Sequence, residues 1–151
     1  MESALAAAAA EPTWRDGLRA ALYAIADFVE ADERRTRLML VEARTAGDRA
    51  IGLIQEGYDR FFDLIDRGRE ERPGAGSLTR ASAEAIGGTI FLQMYAAQGT
   101  GVAGLARAAV PRMMYTAVLP YLGQQAAEEE LRRPPHNPAG GERERTNPRC
   151  S

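Results

Sequence analysis

The side chains most able to do chemistry sit where they have no helpers. The single histidine, His136, lies in the run Pro-Pro-His-Asn-Pro, and the single cysteine, Cys150, is next to the last residue. A histidine base or metal ligand needs ordered neighbours to tune its proton and orient its ring. His136 is therefore read as a solvated tail residue, and Cys150 as an isolated thiol with no histidine to activate it. One cysteine also excludes an internal disulfide and a thiolate metal site, as expected of a cytoplasmic protein. No phosphate-cradling glycine spacing appears. Gly99-Thr100-Gly101 is a glycine cluster, but it follows a helical pattern with no strand before it, so it reads as a helix terminator.

Carboxylates are the other route to chemistry, because a helical bundle can hold a di-metal site. Such a site takes inward-facing glutamates from several helices together with Glu-x-x-His pairs, and this chain has no Glu-x-x-His. Asp59, Asp63 and Asp66 line one helix flank beside Arg60 and Arg67, which is the pattern of a solvated charged face. The expectation is a protein with no catalytic site, no metal and no cofactor. Bulky apolar side chains remain. Trp14, Met39, Tyr58, Phe61, Phe62 and Phe91 are of the types that fill a core, and adaptable aromatic and methionine side chains also line apolar ligand pockets. Both readings stay open at this point.

The elements that must position them are helices. Pro12-Thr13 opens the first, with Asp16 placed to complete a variant of the capping box. Trp14, Leu18, Leu22, Ile25 and Val29 then share one face. A short helix is expected over Glu33 to Arg44, carrying Leu38-Met39-Leu40-Val41, and Gly47 breaks the chain. Ile51, Ile54, Tyr58, Phe61, Phe62 and Ile65 fall in a narrow arc between Arg49 and Arg69, a period that strands cannot produce. After the loop Arg72-Pro73-Gly74-Ala75-Gly76-Ser77, Thr79 is expected to cap a helix running to Gln98. A last helix covers Leu105 to Leu122, with Pro111 kinking it or marking its true start and Pro120 closing it. The domain is thus expected over 13–123. Residues 1–12 are the end of a linking helix or disordered, and 124–151 a disordered tail.

Composition narrows the class further. The chain has 151 residues, 45% of them hydrophobic, enough for one domain with a real core. A formal net charge of −2, with all 19 cationic residues arginine, gives no long-range attraction for nucleic acid or anionic lipid. From Ala85 to Ala106 no residue is charged. The glycines and glutamines in that stretch argue against a membrane span, so its apolar surface is expected to be buried in the core, in a subunit interface, or in both.

Two phrases add a resemblance. Arg37-Leu38-Met39-Leu40-Val41-Glu42-Ala43 resembles a phrase of the TetR/AcrR transcriptional regulators, on the short helix after their first long core helix. Val118-Leu119-Pro120-Tyr121-Leu122-Gly123 resembles the end of their final helix. The helix order from Trp14 to Gly123 is also similar. The resemblance implies an all-α, five-helix C-terminal domain of a bacterial repressor, which senses a small apolar effector and forms a homodimer. Its last two helices would pair with those of a second copy into a four-helix bundle. It places Leu22, Met39, Tyr58, Phe62 and Phe91 near the effector, and Gly87, Gly88, Ile90, Met94, Met114 and Val118 at the dimer interface. The family's helix-turn-helix head has no counterpart in this sequence, so direct nucleic-acid binding by it is not expected. A ligand-independent helical dimerisation or interaction domain is the alternative.

Overall fold

The computed structural model describes residues 1–31, 48–72, 78–98 and 104–134. Among these described residues there are six α-helices, one 3-10 segment and no strand: α1 (Glu2–Ala9), α2 (Trp14–Ala31), α3 (Asp48–Asp66) running on into the 3-10 segment Arg67–Glu71, α4 (Arg80–Gln98), α5 (Leu105–Leu122) and α6 (Gln124–Arg132). The all-α class expected from the sequence is what the described residues adopt. The short helix expected over Glu33 to Arg44, the Arg37-to-Ala43 phrase with Met39, Gly99-Thr100-Gly101, His136 and Cys150 lie outside the described residues.

Local chemistry sets the helix ends. The Asp16 backbone N–H donates to Thr13 Oγ1 at 3.2 Å, and the Thr13 hydroxyl donates to Asp16 Oδ2 at 2.7 Å. This satisfies one orphan N–H of the first turn, and the hydroxyl bond heads the influences that hold the Asp16 carboxyl below its ordinary pKa. At the start of α4 the cap bond is supplied by Ser82, whose Oγ accepts from the Thr79 N–H at 3.4 Å. Two expectations about α5 are corrected. The helix starts at Leu105, so Pro111 lies inside it and does not mark its start, and it withholds the N–H that the Arg107 carbonyl would accept. Pro120 does not close it either. The helix runs to Leu122 and ends at Gly123, whose φ of +85° suits glycine and whose N–H bonds Leu119 O at 3.0 Å.

The tail expected from residue 124 is also corrected, because 124–132 is the helix α6. Its buried residues are Ala127 and Glu130, one small and one charged. An apolar period could not reveal such a face.

The core lies where α2, α3, α4 and α5 meet. Leu18 and Leu22, Phe61 and Ile65, Ile90, and Val110, Met113, Met114 and Val118 are all essentially sealed from solvent. Each side chain of this size stabilises the fold by about 1.5–3 kcal/mol through burial. Helix α5 is apolar on most sides and sits at the centre, packed against α2, α4 and α6. Helix α1 packs on α2 so closely that a Cβ at Gly17 would lie 2.8 Å from Ala8 O. Among the described residues no helix is long and apolar enough to cross a membrane.

Trp14 pins the start of α2 to the end of α3. Its indole N–H donates to Leu64 O at 2.7 Å, taking a carbonyl from the last turn, where helical partners run out. Its ring meets Tyr121 edge-on at 5.4 Å, and Gly68 lies beneath both rings. The buried Tyr121 hydroxyl has no hydrogen-bond partner among the described residues, and its pKa is pushed up to about 12, first by burial and then by Asp66. A buried unsatisfied hydroxyl costs about 1–3 kcal/mol. Tyr121→Phe should therefore leave the melting temperature unchanged or raise it, and a fall of several degrees in thermal denaturation would show that the hydroxyl is bonded in solution.

Candidate functional site

Three of the five residues that the resemblance places near an effector come together where α3 crosses α4. Tyr58, Phe61, Phe62 and Ile65 recur at helical spacing on one face of α3, and Phe91 meets them from α4. The Phe91 ring lies 4.7 Å from Tyr58, 5.4 Å from Phe61 and 6.4 Å from Phe62, mostly in tilted and edge-on arrangements. These are favourable geometries for the ring quadrupoles. Phe61 is sealed in the core, whereas Tyr58, Phe62 and Phe91 are half-buried. Gly87 makes room for Phe62, whose ring occupies the space a Cβ there would need. Of the other two expected residues, Leu22 is fully buried within the core and Met39 is outside the described residues. The cluster can offer flat apolar contact, edge and face, to a small hydrophobic molecule.

The aspartates do not join this cluster. Asp59 and Asp63 sit on the exposed flank of α3 and pair with Arg80, which also meets Glu84 at 3.4 Å. The bond to Asp63 is the first cause of the raised Arg80 pKa. Asp66 turns away to Arg69. Among the described residues no three His, Cys, Asp or Glu side chains gather as a metal site requires.

The expected dimer interface needs correction. Ile90, Met94, Met114 and Val118 point into the core of the single chain and are sealed there, so they are not available to a second copy. Gly87 is closed over by Phe62, and of the six only Gly88 is exposed. The outward stripe of α4 runs instead through Ala81, Ala85, Gly88, Leu92 and Tyr95, with Leu92 67% and Tyr95 62% exposed. Leu119 of α5 is exposed as well. Sequence reasoning missed this face because α4 is apolar on both sides. The available signal was Glu84, which precedes Gly88 by one helical turn and Leu92 by two, and so marks the outer side.

No protein family, no curated protein and no solved structure matches the chain.

Proposed function

We propose that this chain is a non-catalytic regulatory domain of the kind its TetR/AcrR resemblance implies: a cytoplasmic homodimer that senses a small apolar effector. The observation that carries the reading is the outer stripe of α4, uncharged from Ala85 onward, where Leu92 and Tyr95 stand in solvent at 67% and 62% exposure. Apolar surface of this kind is worth about 25 cal/mol per Å² when removed from water. A two-fold pairing of α4 against its own copy buries the same patch twice. Gly88, where an added Cβ would meet nothing within 4 Å, lets a partner helix approach closely. The effector half of the reading draws on Tyr58, Phe62 and Phe91, a half-buried aromatic cluster beside a closed core.

Light scattering at micromolar concentration tests the pairing. The wild-type chain is expected at twice its own mass and Leu92→Glu at the single mass, with helical circular dichroism unchanged. A wild-type monomer at tens of micromolar would overturn the reading. For the effector, an apolar aromatic compound at one hundred times its Kd should stabilise the fold by about 2.7 kcal/mol, and Phe91→Ala should abolish the shift.

The second reading, pairing without a ligand, is favoured by one observation. The Phe91 ring already lies 4.7 Å from Tyr58 and 5.4 Å from Phe61, so the rings fill one another's space. A dimer whose melting temperature no apolar compound raises would select it.

A further inference from the structure

Helix α6 packs on α5 and is tied to α2 through charge. Its buried face carries Ala127 and Glu130, while Leu131, its one large apolar side chain, is turned outward. The Glu130 side chain is wholly buried. Arg15 donates to Glu130 Oε1 from Nε at 2.8 Å and from a terminal nitrogen at 2.5 Å, and Arg19 pairs with Oε2. Both guanidiniums come from consecutive turns of α2. Arg15 also reaches Ala126 O at 3.3 Å and Glu129 Oε2 at 3.2 Å, and at the rim Arg133 donates to Asp16 Oδ1 at 2.8 Å. A carboxylate is stable in such a place only if guanidiniums replace its water on every side. Burial, followed by the neighbouring Arg133 and Arg15, draws the Arg19 pKa down to about 10 despite Asp16 nearby. The chain passes from α5 to the helix carrying Glu130 through Gly123, at φ +85° and ψ 178°, a residue able to rotate with little steric cost.

We propose that Arg15 and Arg19 form a carboxylate-binding site on α2 that α6 fills from within the chain through Glu130, making α6 a latch hinged at Gly123 that a competing carboxylate displaces. Arg15 holds one oxygen of the carboxylate and Arg19 faces the other as an ion pair, so the two cations address two atoms of one anion, which a spherical anion such as chloride does not offer. The latch is separate from the outer stripe of α4, so it stands whether or not the chain pairs through that stripe.

Hydrogen exchange on the full chain, followed by mass spectrometry, tests the latch. In Glu130→Gln the amides of 124–132 are expected to exchange at least tenfold faster, while those of α2, α4 and α5 keep their protection. Glu129→Gln, which removes only a half-exposed contact, should leave α6 close to wild type. Unchanged exchange in α6, or loss of protection in α5 and α2 in step with it, would overturn the proposal. The binding site is tested by Glu130→Ala in sodium acetate against sodium chloride at equal ionic strength. Acetate should raise the melting temperature above chloride, and a second change, Arg15→Gln or Arg19→Gln, should abolish the difference. Equal melting temperatures in the two salts refute the site. Should Glu130→Ala not fold in chloride, the wild-type chain serves: acetate should accelerate exchange in α6 relative to chloride, and no acceleration refutes the site equally.

Discussion

Trp14→Ala is expected to lower the free energy of unfolding by about 3–5 kcal/mol, the range for truncating a large buried aromatic residue. For a domain of this size that is a fall of roughly 6–20 °C in melting temperature. Three losses add. The ring, 6% exposed, leaves a cavity above Gly68. The edge-on contact with Tyr121 goes. Leu64 O loses the indole donor that serves it at 2.7 Å. Trp14→Phe separates these terms by keeping an aromatic ring and removing the N–H. Its cost should be about 1–2 kcal/mol, that of a lost hydrogen bond with its acceptor left buried. Chemical denaturation of the three chains checks the order. A Trp14→Phe variant as unstable as Trp14→Ala would mean that the hydrogen bond, and not the packing, joins α2 to α3.

The second large effect is expected at Gly87. A Cβ there would lie 2.5 Å from Phe62 Cδ1 and 3.4 Å from Ile65 Cδ1. Gly87→Val should cost about 3 kcal/mol, the upper part of the range for overpacking. The gain from replacing glycine within a helix is at most about 1 kcal/mol and loses to the clash. Phe62 is the obstacle, so Phe62→Ala combined with Gly87→Val should be much less destabilised than the two single changes added together. The neighbouring position is expected to behave in the opposite sense. Nothing lies within 4 Å of a Cβ at Gly88, so Gly88→Ala in a Leu92→Glu background, where pairing does not enter, should stabilise the chain by about 1 kcal/mol. Denaturant midpoints of these chains provide the check. Like signs at 87 and 88 would mean that the inner and outer sides of α4 are assigned the wrong way round.

What could be read in advance follows from how each element is held. Ile51 to Ile65 betrays α3 because its flanks carry Asp59, Asp63 and Arg67, so one side of the wheel is plainly wet. Helices α4 and α5 lack that contrast. Their extent was legible, but the inward direction of Ile90 and Met114 was not, because apolar residues occupy both sides and only three-dimensional packing selects between them. The Tyr58, Phe62 and Phe91 grouping was legible as a set of types and not as a set of contacts, since the crossing of α3 and α4 decides which rings meet. Helix α6 was invisible for a different reason. Its buried face consists of an alanine and a glutamate, and the partners that make burial of Glu130 tolerable, Arg15 and Arg19, lie more than a hundred residues earlier. No local window holds both halves of that interaction.

The corner where Trp14 rests has an optical consequence. Trp14 is the only tryptophan of the chain, so all indole fluorescence comes from the junction of α2, the end of α3 and Tyr121. Tyr121 stands two residues before the glycine on which α6 turns. The emission of the unlabelled chain is therefore a natural gauge of this one corner. It should shift to longer wavelength when α2 and α3 part, and it offers a way to follow that event in real time without attaching a dye.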